Sequence, residues 1–395
     1  MALYDRSFAY LSIRVGSQEI YFTEAILFLG FVLFLIMGFV GGEIYVTRSP
    51  LNFLFVLYFT FGIFALLRGF NEYKIDAIRD SVLVYYALFF FIFLWTVNKI
   101  EHVRSYVKYV LLLIIIMNIF FIIRLVNSYS PIIKENVLNI LPSGNEVFWG
   151  FGPIFYCATF SMIRRFRKTL FFIVTFPLAY DLFTYFRRSL FLGVGVSLVF
   201  VYFFSEKSVK KKLKKFGSII LILTVIAIIF VLEGDIQSLW EGHASGAFWR
   251  ETVWIRMMPR IFQRIFFGYG FGPEVVPTEL LPDFAITQDP HNSFLAILFR
   301  IGVTGFGVLC IILVLFYSQV IKFLKVKEEG KIRNYALAFL GCHVFMIVFS
   351  LFNVVLEGPH HGIWFWIIMG ITAALFKIEK KNRVELECHS EDESW

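Results

Sequence analysis

Long apolar runs separated by short polar connections dominate this chain. A helix needs about 20 apolar residues to cross the roughly 30 Å hydrocarbon core of a bilayer. Eleven segments fit that template, near residues 22–40, 51–69, 82–98, 109–127, 148–163, 169–186, 189–205, 217–233, 293–320, 334–352 and 362–376. The runs do not alternate between apolar and polar residues, which excludes a transmembrane β-barrel. The sequence predicts an all-α, polytopic transmembrane bundle of about eleven helices. Twelve helices are the alternative count, because residues 1–20 are a candidate interfacial helix.

Composition agrees with a membrane protein. Of the 395 residues, only 17% are charged and 58% are hydrophobic, whereas soluble proteins carry about 25% charged residues. A net charge of +8 can indicate nucleic acid as a partner, but here the basic residues form short clusters between apolar runs and no basic face. The four cysteines suggest neither a disulfide framework nor a metal site. The first 20 residues lack the apolar core of a signal peptide, so we expect a later segment to direct insertion.

The basic clusters predict the orientation. Residues 164–168 and 207–215 are rich in Arg and Lys and follow the fifth and seventh segments, so both connections should be cytoplasmic. Alternation then places the N-terminus outside, together with residues 70–81, 128–147, 187–188, 234–292 and 353–361. We therefore expect N-terminal membrane helices at 1–233, an extracytoplasmic catalytic loop at 234–292, C-terminal membrane helices at 293–376 and a cytoplasmic tail at 377–395. A long loop in a tight membrane protein is usually functional.

Within that loop, residues 245–267 predict an amphipathic helix. Arg250 shares its apolar stripe with Trp254, Met257 and Ile261, whereas Arg256 points about 120° away. An arginine on a buried stripe needs an anionic partner. That partner is either a bound anion or, in a purely structural role, a lipid headgroup or a carboxylate such as Glu251 or Asp283.

Three glycines follow in the stretch FFGYGFGPE, at Gly268, Gly270 and Gly272. A phosphate-binding nucleotide loop would need a following Lys-Ser/Thr and a preceding strand, and neither is present. A tight turn that returns the loop to the membrane fits better. These glycines are then expected to serve backbone geometry alone.

The stretch TQDPHNSFLAILFRIGVTG predicts the start of the ninth membrane helix. Asp289 is a good N-cap and Pro290 a good first-turn residue, which would place His291 and Asn292 in the first turn. A helix N-terminus attracts anions and disfavours an imidazolium. His291 should then be neutral and able to accept a proton, although a purely structural, hydrogen-bonded histidine is an equal alternative.

Further charged residues lie at the expected outer ends of membrane segments. They are Arg187 and Arg188 after the sixth segment, Arg124 near the end of the fourth, and Glu357 in LEGPHHGIW. Ionisable residues at such positions are functional candidates. The adjacent histidines of LEGPHHGIW rarely bind one ion together, so no metal site is expected. The outer face thus combines Arg188, Arg250 and His291, a set suited to a diphosphate with a base beside it.

Four motifs resemble the O-antigen polymerase and ligase superfamily: FRRSLFLG at 186–193, FWRETVW at 248–254, FGYGFG at 267–272 and DPHNSFLAILFRIGVTG at 289–305. The resemblance implies that Arg188, Arg250 and His291 are the essential residues. FRRS stands where the family usually has Ser-Arg, so Arg187 and Arg188 remain alternatives. The family also commonly has twelve or more membrane helices.

The resemblance implies an inverting, metal-independent and cofactor-free glycosyltransferase at the outer face of the bacterial inner membrane. Its donor would be a polyprenyl-diphosphate-linked oligosaccharide, and its acceptor a second lipid-linked repeat unit in a polymerase or lipid A-core in a ligase. The arginines would hold the diphosphate and His291 would activate the acceptor hydroxyl. Arg187, Asn292, Trp254, Arg124 and Glu357 are expected to contact substrate. Membrane lipid and a chain-length regulator are the other expected partners; nucleic acid is not.

We favour the polymerase because LEGPHHGIWFW resembles polysaccharide polymerases more closely. A transporter or flippase is the alternative from another class. Transporters usually show internal repeats and broken helices in both halves, and the sequence indicates neither.

Overall fold

The computed structural model describes residues 12–15, 18–21, 26–33, 36, 49–128, 146–159, 167–184, 188–205, 236–276, 290–326 and 330–392. Within them the protein is a helical bundle, as predicted. Five of the described helices are long and apolar enough to cross a membrane, or six if one bent helix pair forms a single span. The protein is therefore a multi-pass membrane protein, while the count of eleven spans stays a prediction.

The predicted segments are mainly helical where the structure describes them; residues 86–87, 97–98, 205 and 351–352 are the exceptions, and the segment at 217–233 lies outside the described residues. The labelled helices are α1 (Pro50–Tyr73), α2 (Ile75–Asp80), α3 (Val82–Tyr85), α4 (Leu88–Thr96), α5 (Ile100–Ser128), α6 (Glu146–Thr159), α7 (Arg167–Thr184), α8 (Arg188–Phe204), α9 (Ile236–Gln263), α10 (Ser293–Val326), α11 (Lys331–Ser350) and α12 (Pro359–Asp392). Helix α12 continues without a break past residue 377, the expected start of the tail.

Two short strands precede the bundle. Strands β1 (Ser12–Val15) and β2 (Gln18–Tyr21) pair antiparallel, with Ser12 opposite Tyr21. The alternative of an interfacial helix is therefore wrong for these residues. Polar and apolar residues alternate in β1, which is the strand period, whereas β2 shows no such alternation.

Glycines allow the central helices to approach closely. The Phe345 ring of α11 lies between α6 and α8, where a Cβ added at Gly150 or Gly193 would come within 2.4 Å or 2.8 Å of it. Small residues at helix contacts are typical of membrane bundles, because they let large side chains reach the neighbouring backbone. This contact fixes the first turns of α8, the helix that begins at Arg188.

The ninth predicted segment is not one continuous helix. Helix α10 breaks at Gly302, which has φ 68° and ψ −177°. An unbroken helix over Ser293–Lys325, which is 33 residues long, would extend about 50 Å, well beyond a hydrocarbon core. The break separates a short outer part, 293–301, from a span that begins at Val303. The helical segment of α2 and α3 is also bent by 42° relative to α4. The expectation of unbroken helices is therefore wrong at two places.

Hydrogen bonds join helix ends that the predicted topology places on the same side of the membrane. At expected outer ends, Asn353 is hydrogen-bonded to both Ser189 and Ser293. At expected inner ends, Arg333 donates to the carbonyl oxygen of Phe204 at 2.7 Å. Which end faces outward stays a prediction from the basic clusters.

Candidate functional site

Helix α9 carries the predicted amphipathic stripe. Val253, Met257 and Ile261 are buried and pack with Phe299 and with the residues after the glycine turn. Arg250 and Trp254 precede them on the same face and are half-buried, whereas Arg256 is exposed. The predicted division of the helix faces is therefore confirmed.

Arg250 is a desolvated cation. Its Nε atom is buried, and the structure shows no hydrogen-bond partner for it among the described residues. Burial lowers the pKa of the guanidinium from its ordinary value, but arginine remains charged at neutral pH. The described residues show no ion pair between Arg250 and Glu251, and Asp283 lies outside them. A half-buried cation with a buried Nε atom of this kind favours binding of an anion.

Trp254 links this helix to the turn that contains His291. The indole Nε1 donates to the carbonyl oxygen of Pro290 at 2.6 Å. Trp254 is one helical turn after Arg250, and Pro290 directly precedes His291. The bond therefore brings the segments of two predicted catalytic residues together.

The N-cap of α10 is Asn292 and not Asp289, which lies outside the described residues. The Asn292 Oδ1 atom accepts from the backbone N–H groups of Phe294 and Leu295, both at 3.1 Å, and the helix begins at Ser293. The prediction that His291 and Asn292 lie in the first turn is therefore wrong. Asp and Asn are equally good caps, so the sequence alone could not choose between two of them three residues apart.

His291 instead precedes the cap in a left-handed conformation. Its φ is 46°, which is uncommon for a residue other than glycine and concentrates at functional sites. The side chain is half-buried. The expectation of a neutral imidazole depends on a place for His291 inside the first turn of the helix. Since His291 lies outside that turn, this reason no longer applies.

Ser293 connects three segments at the same end of the bundle. Its hydroxyl donates to the carbonyl oxygen of Asn353 at 3.3 Å and accepts from the N–H groups of Val355 and Leu356 at 2.9 Å and 3.1 Å. The Asn353 amide in turn donates to the Ser189 hydroxyl at 2.9 Å. The turn before α10, the connection before α12 and the start of α8 are thereby held together.

Several predicted site residues adjoin this network. Arg188 is the first residue of α8, next to Ser189, and Glu357 follows Leu356 and is half-buried. The side chains of Arg188 and of Arg124, which lies near the end of α5, are not described, and Arg187 lies outside the described residues. The choice between Arg187 and Arg188 therefore stays open.

The glycine turn serves backbone geometry, as predicted. Gly268, Gly270 and Gly272 have φ values of 64°, 88° and 101°, a region that L side chains rarely adopt. Their N–H groups donate to the carbonyl oxygens of Arg264 and Arg300 and to the Asp80 carboxylate. Because these donors are occupied within the protein, they are not available to a phosphate.

Sequence reasoning missed the ion pair between Arg300 and Asp80, whose Nη2 and Oδ2 atoms are 2.6 Å apart. Arg300 also donates to the carbonyl oxygen of Pro273, and Asp80 accepts from Gly272 N–H at 2.9 Å. The pair anchors the glycine turn between α2 and the outer part of α10. An arginine in an apolar segment was the available signal, because such a charge needs a partner.

Metal ligands do not cluster in the described part of the chain. No group of three or more His, Cys, Asp or Glu residues lies close enough there to hold an ion. The expectation of a metal-independent site is left to a direct test.

Comparison with known proteins finds one family model that covers these elements. Residues 172–310 match a family model described as O-Antigen ligase. The matched stretch includes α8, α9, the glycine turn and the outer part of α10, and with them Arg188, Arg250 and His291. No curated protein and no solved structure matches the chain.

Proposed function

We propose that this protein, a membrane glycosyltransferase of the O-antigen polymerase and ligase superfamily, polymerises polyprenyl-diphosphate-linked oligosaccharide repeat units at the outer face of the bacterial inner membrane. The observation that carries the proposal is the bond from Trp254 to Pro290, which joins the helix of the desolvated Arg250 to the turn of His291. A cation and a potential base thus belong to one small region of the structure.

Arg250 and Arg188 would bind the donor diphosphate. A guanidinium forms paired, charge-assisted hydrogen bonds to phosphate oxygens. These bonds strengthen as the leaving group gains negative charge, so the arginines lower the barrier for departure of the polyprenyl diphosphate. Desolvation of Arg250 strengthens the attraction further, because fewer waters screen it.

His291 would act as the base. The acceptor hydroxyl oxygen attacks the anomeric carbon of the donor, the bond from that carbon to the diphosphate oxygen breaks, and the hydroxyl proton passes to an imidazole nitrogen. Attack from the side opposite the leaving group inverts the anomeric configuration. This chemistry needs neither a metal nor a cofactor.

The other predicted substrate contacts take more specific roles. Trp254 acts mainly by positioning, since its N–H is bonded to Pro290. The Asn292 Oδ1 atom is committed to the helix cap, which leaves its amide N–H groups for an acceptor sugar. Glu357 and Arg124, with Arg187 as the alternative to Arg188, are proposed to line the same site.

A ligase is the second candidate, and the description of the matching family favours it. Such an enzyme would use the same donor and the same residues but would transfer the glycan to lipid A-core. The two functions differ only in the acceptor, so an acceptor assay separates them.

A flippase is less well supported. The broken helix α10 is a feature that transporters share, but there the unwound backbone lines a cavity. Here the carbonyl groups of Phe299 and Arg300 accept from Tyr269 and Gly270, both at 2.9 Å. The break is therefore filled by the glycine turn.

The test uses purified full-length protein in liposomes with a polyprenyl-diphosphate oligosaccharide and either a second donor molecule or lipid A-core. Glycans elongated by whole repeat units support the polymerase, and a glycan on lipid A-core supports the ligase. Movement of the donor across the bilayer without a new glycosidic bond would contradict both.

A further inference from the structure

An apolar stripe on the exposed side of α9 and of the turn that follows it has no role in the proposed site. Ile255, Phe262 and Phe266 are 63%, 67% and 65% exposed, and Met258 and Phe267 extend the same surface. We call these five residues the outer stripe. They lie on a different face from the buried Val253, Met257 and Ile261. Contiguous apolar patches of this kind usually contact a partner or a membrane.

The outer stripe continues the surface of a membrane helix. The rings of Phe267 and Phe64 are in contact, with centroids 5.9 Å apart. Phe64 and Leu67 are 50% and 63% exposed, and both belong to α1, which is long and apolar enough to span a bilayer. The two surfaces therefore share one environment.

The turn after α9 lies beside α1 and not beyond its end. Phe271 N–H donates to the carbonyl oxygen of Ala65 at 3.3 Å, and a Cβ at Gly69 would meet the Phe271 carbonyl oxygen at 1.8 Å. Ala65 is eight residues, or about 12 Å along the axis, before the last residue of α1. The turn is consequently at a depth that hydrocarbon occupies.

The backbone of this turn is suited to that depth. The N–H groups of residues 268–271 donate, in order, to the carbonyl oxygens of Arg264, Phe299, Arg300 and Ala65. Non-helical backbone survives inside a membrane only when protein groups satisfy it, because lipid tails offer no hydrogen bonds. A loop in water would not need four consecutive internal partners.

Cations lie at the edge of the outer stripe. Arg68 donates to the carbonyl oxygen of Gly268 at 2.5 Å, and its guanidinium lies 5.2 Å from the centre of the Phe64 ring. The Arg264 guanidinium lies 4.8 Å from the Tyr269 ring. Both arginines are exposed. Arginines placed in this way extend their charge from apolar surroundings toward lipid phosphates.

We propose that α9 from Ile255 onward and the glycine turn are embedded in one leaflet of the phospholipid bilayer, the outer leaflet in the predicted orientation. The outer stripe contacts acyl chains, while Arg68 and Arg264 contact phosphate headgroups. The catalytic half of α9 is thereby held at the membrane surface. The lipid contact does not depend on the proposed function.

Photo-crosslinking tests the acyl-chain contact. The full-length protein carries p-benzoylphenylalanine at Phe262 or Phe266, in nanodiscs of phosphatidylglycerol and phosphatidylethanolamine without polyprenyl lipid. We expect phospholipid adducts by mass spectrometry at both positions, as at Phe64, and none at Glu72, an exposed control about 12 Å farther along α1. The replacements at the phenylalanines keep an aromatic ring, and all the replaced positions are exposed, so folding should be retained.

Other occupants would give different products. Adducts that appear only after a polyprenyl diphosphate is added would show that the stripe holds a substrate tail, which would overturn the proposal. Crosslinks only to protein, or no adduct at either position while Phe64 still reacts, would overturn it as well.

A second measurement tests the headgroup contact. The variant Arg68→Gln/Arg264→Gln should retain about 30-fold less phosphatidylglycerol after purification, since each of the two basic residues near an anionic surface contributes about 1 kcal/mol. Arg104→Gln, an exposed arginine near the start of α5, is the matched control and should retain the normal amount. Equal retention in both variants would contradict the role of the two arginines.

Discussion

The Trp254 indole N–H and the Pro290 carbonyl oxygen, 2.6 Å apart, join two segments that are 36 residues apart in sequence. The bond ties the helix of Arg250 to the turn that precedes the Asn292 cap. The bond fixes the relative position of the two segments. This matters because a small displacement between a base and a bound diphosphate slows transfer strongly.

Trp254→Phe tests this relationship. Phenylalanine keeps an aromatic ring but removes the donor, and a lost hydrogen bond costs about 1 kcal/mol of stability. We expect turnover to fall about tenfold through misplacement of the two segments, while donor binding changes less. Steady-state kinetics with varied donor check the prediction. A variant with normal kcat would show that the bond does not position the site.

Arg250→Ala should cripple transfer and leave membrane insertion intact. It removes a charge-assisted contact to phosphate worth about 1.5 to 3 kcal/mol in binding, or roughly 10- to 100-fold, and more in the transition state. Arg188→Ala should behave similarly. Arg256→Ala is the matched control, because Arg256 is exposed on another face of α9. Equal losses in all three variants would indicate a general basic surface.

His291→Ala should lower turnover by about 10² to 10⁴ fold with donor binding nearly unchanged, because the arginines still hold the diphosphate. His291→Gln separates the two roles of this residue. Glutamine can still hydrogen-bond but cannot act as a base near neutral pH, so the Gln variant should remain impaired. Near-normal turnover of His291→Gln at saturating acceptor would remove His291 from the chemistry.

Gly302→Ala should destabilise the fold and lower the yield of folded protein. A Cβ at Gly302 would lie 2.3 Å from the Phe266 carbonyl oxygen, and φ there is 68°. Gly307→Ala is the control in the same helix, since no atom lies within 4 Å of its added Cβ; helix propensity should make it neutral or stabilising by up to about 1 kcal/mol. Thermal unfolding in detergent compares them. Equal stability would contradict the described break.

Transfer should survive strong chelators, because the proposed mechanism stabilises the leaving group with arginines. The measurement is turnover of the purified protein in EDTA, with and without added magnesium or manganese. Loss of activity that a divalent ion restores would rule out the metal-independent mechanism.

Parts of this site follow from local sequence signals. The stripe of Arg250, Trp254 and Met257 was visible in the spacing along one helix, and the structure places it as expected. The positive φ of Gly268, Gly270 and Gly272 follows from the residue type. The position of the helix start does not, because Asp289 and Asn292 offer the same capping chemistry.

Sequence by itself determined the apolar helices that the structure describes and which face of α9 is buried, since both depend on the pattern of residues that are neighbours along the chain. The tertiary structure alone decided where α10 breaks, how Arg300 pairs with Asp80, and that Ser293 joins Asn353. Each of these depends on groups from distant segments meeting in space. A hydrogen bond or an ion pair forms only where the fold brings both partners within about 3 Å, and no local pattern encodes that distance.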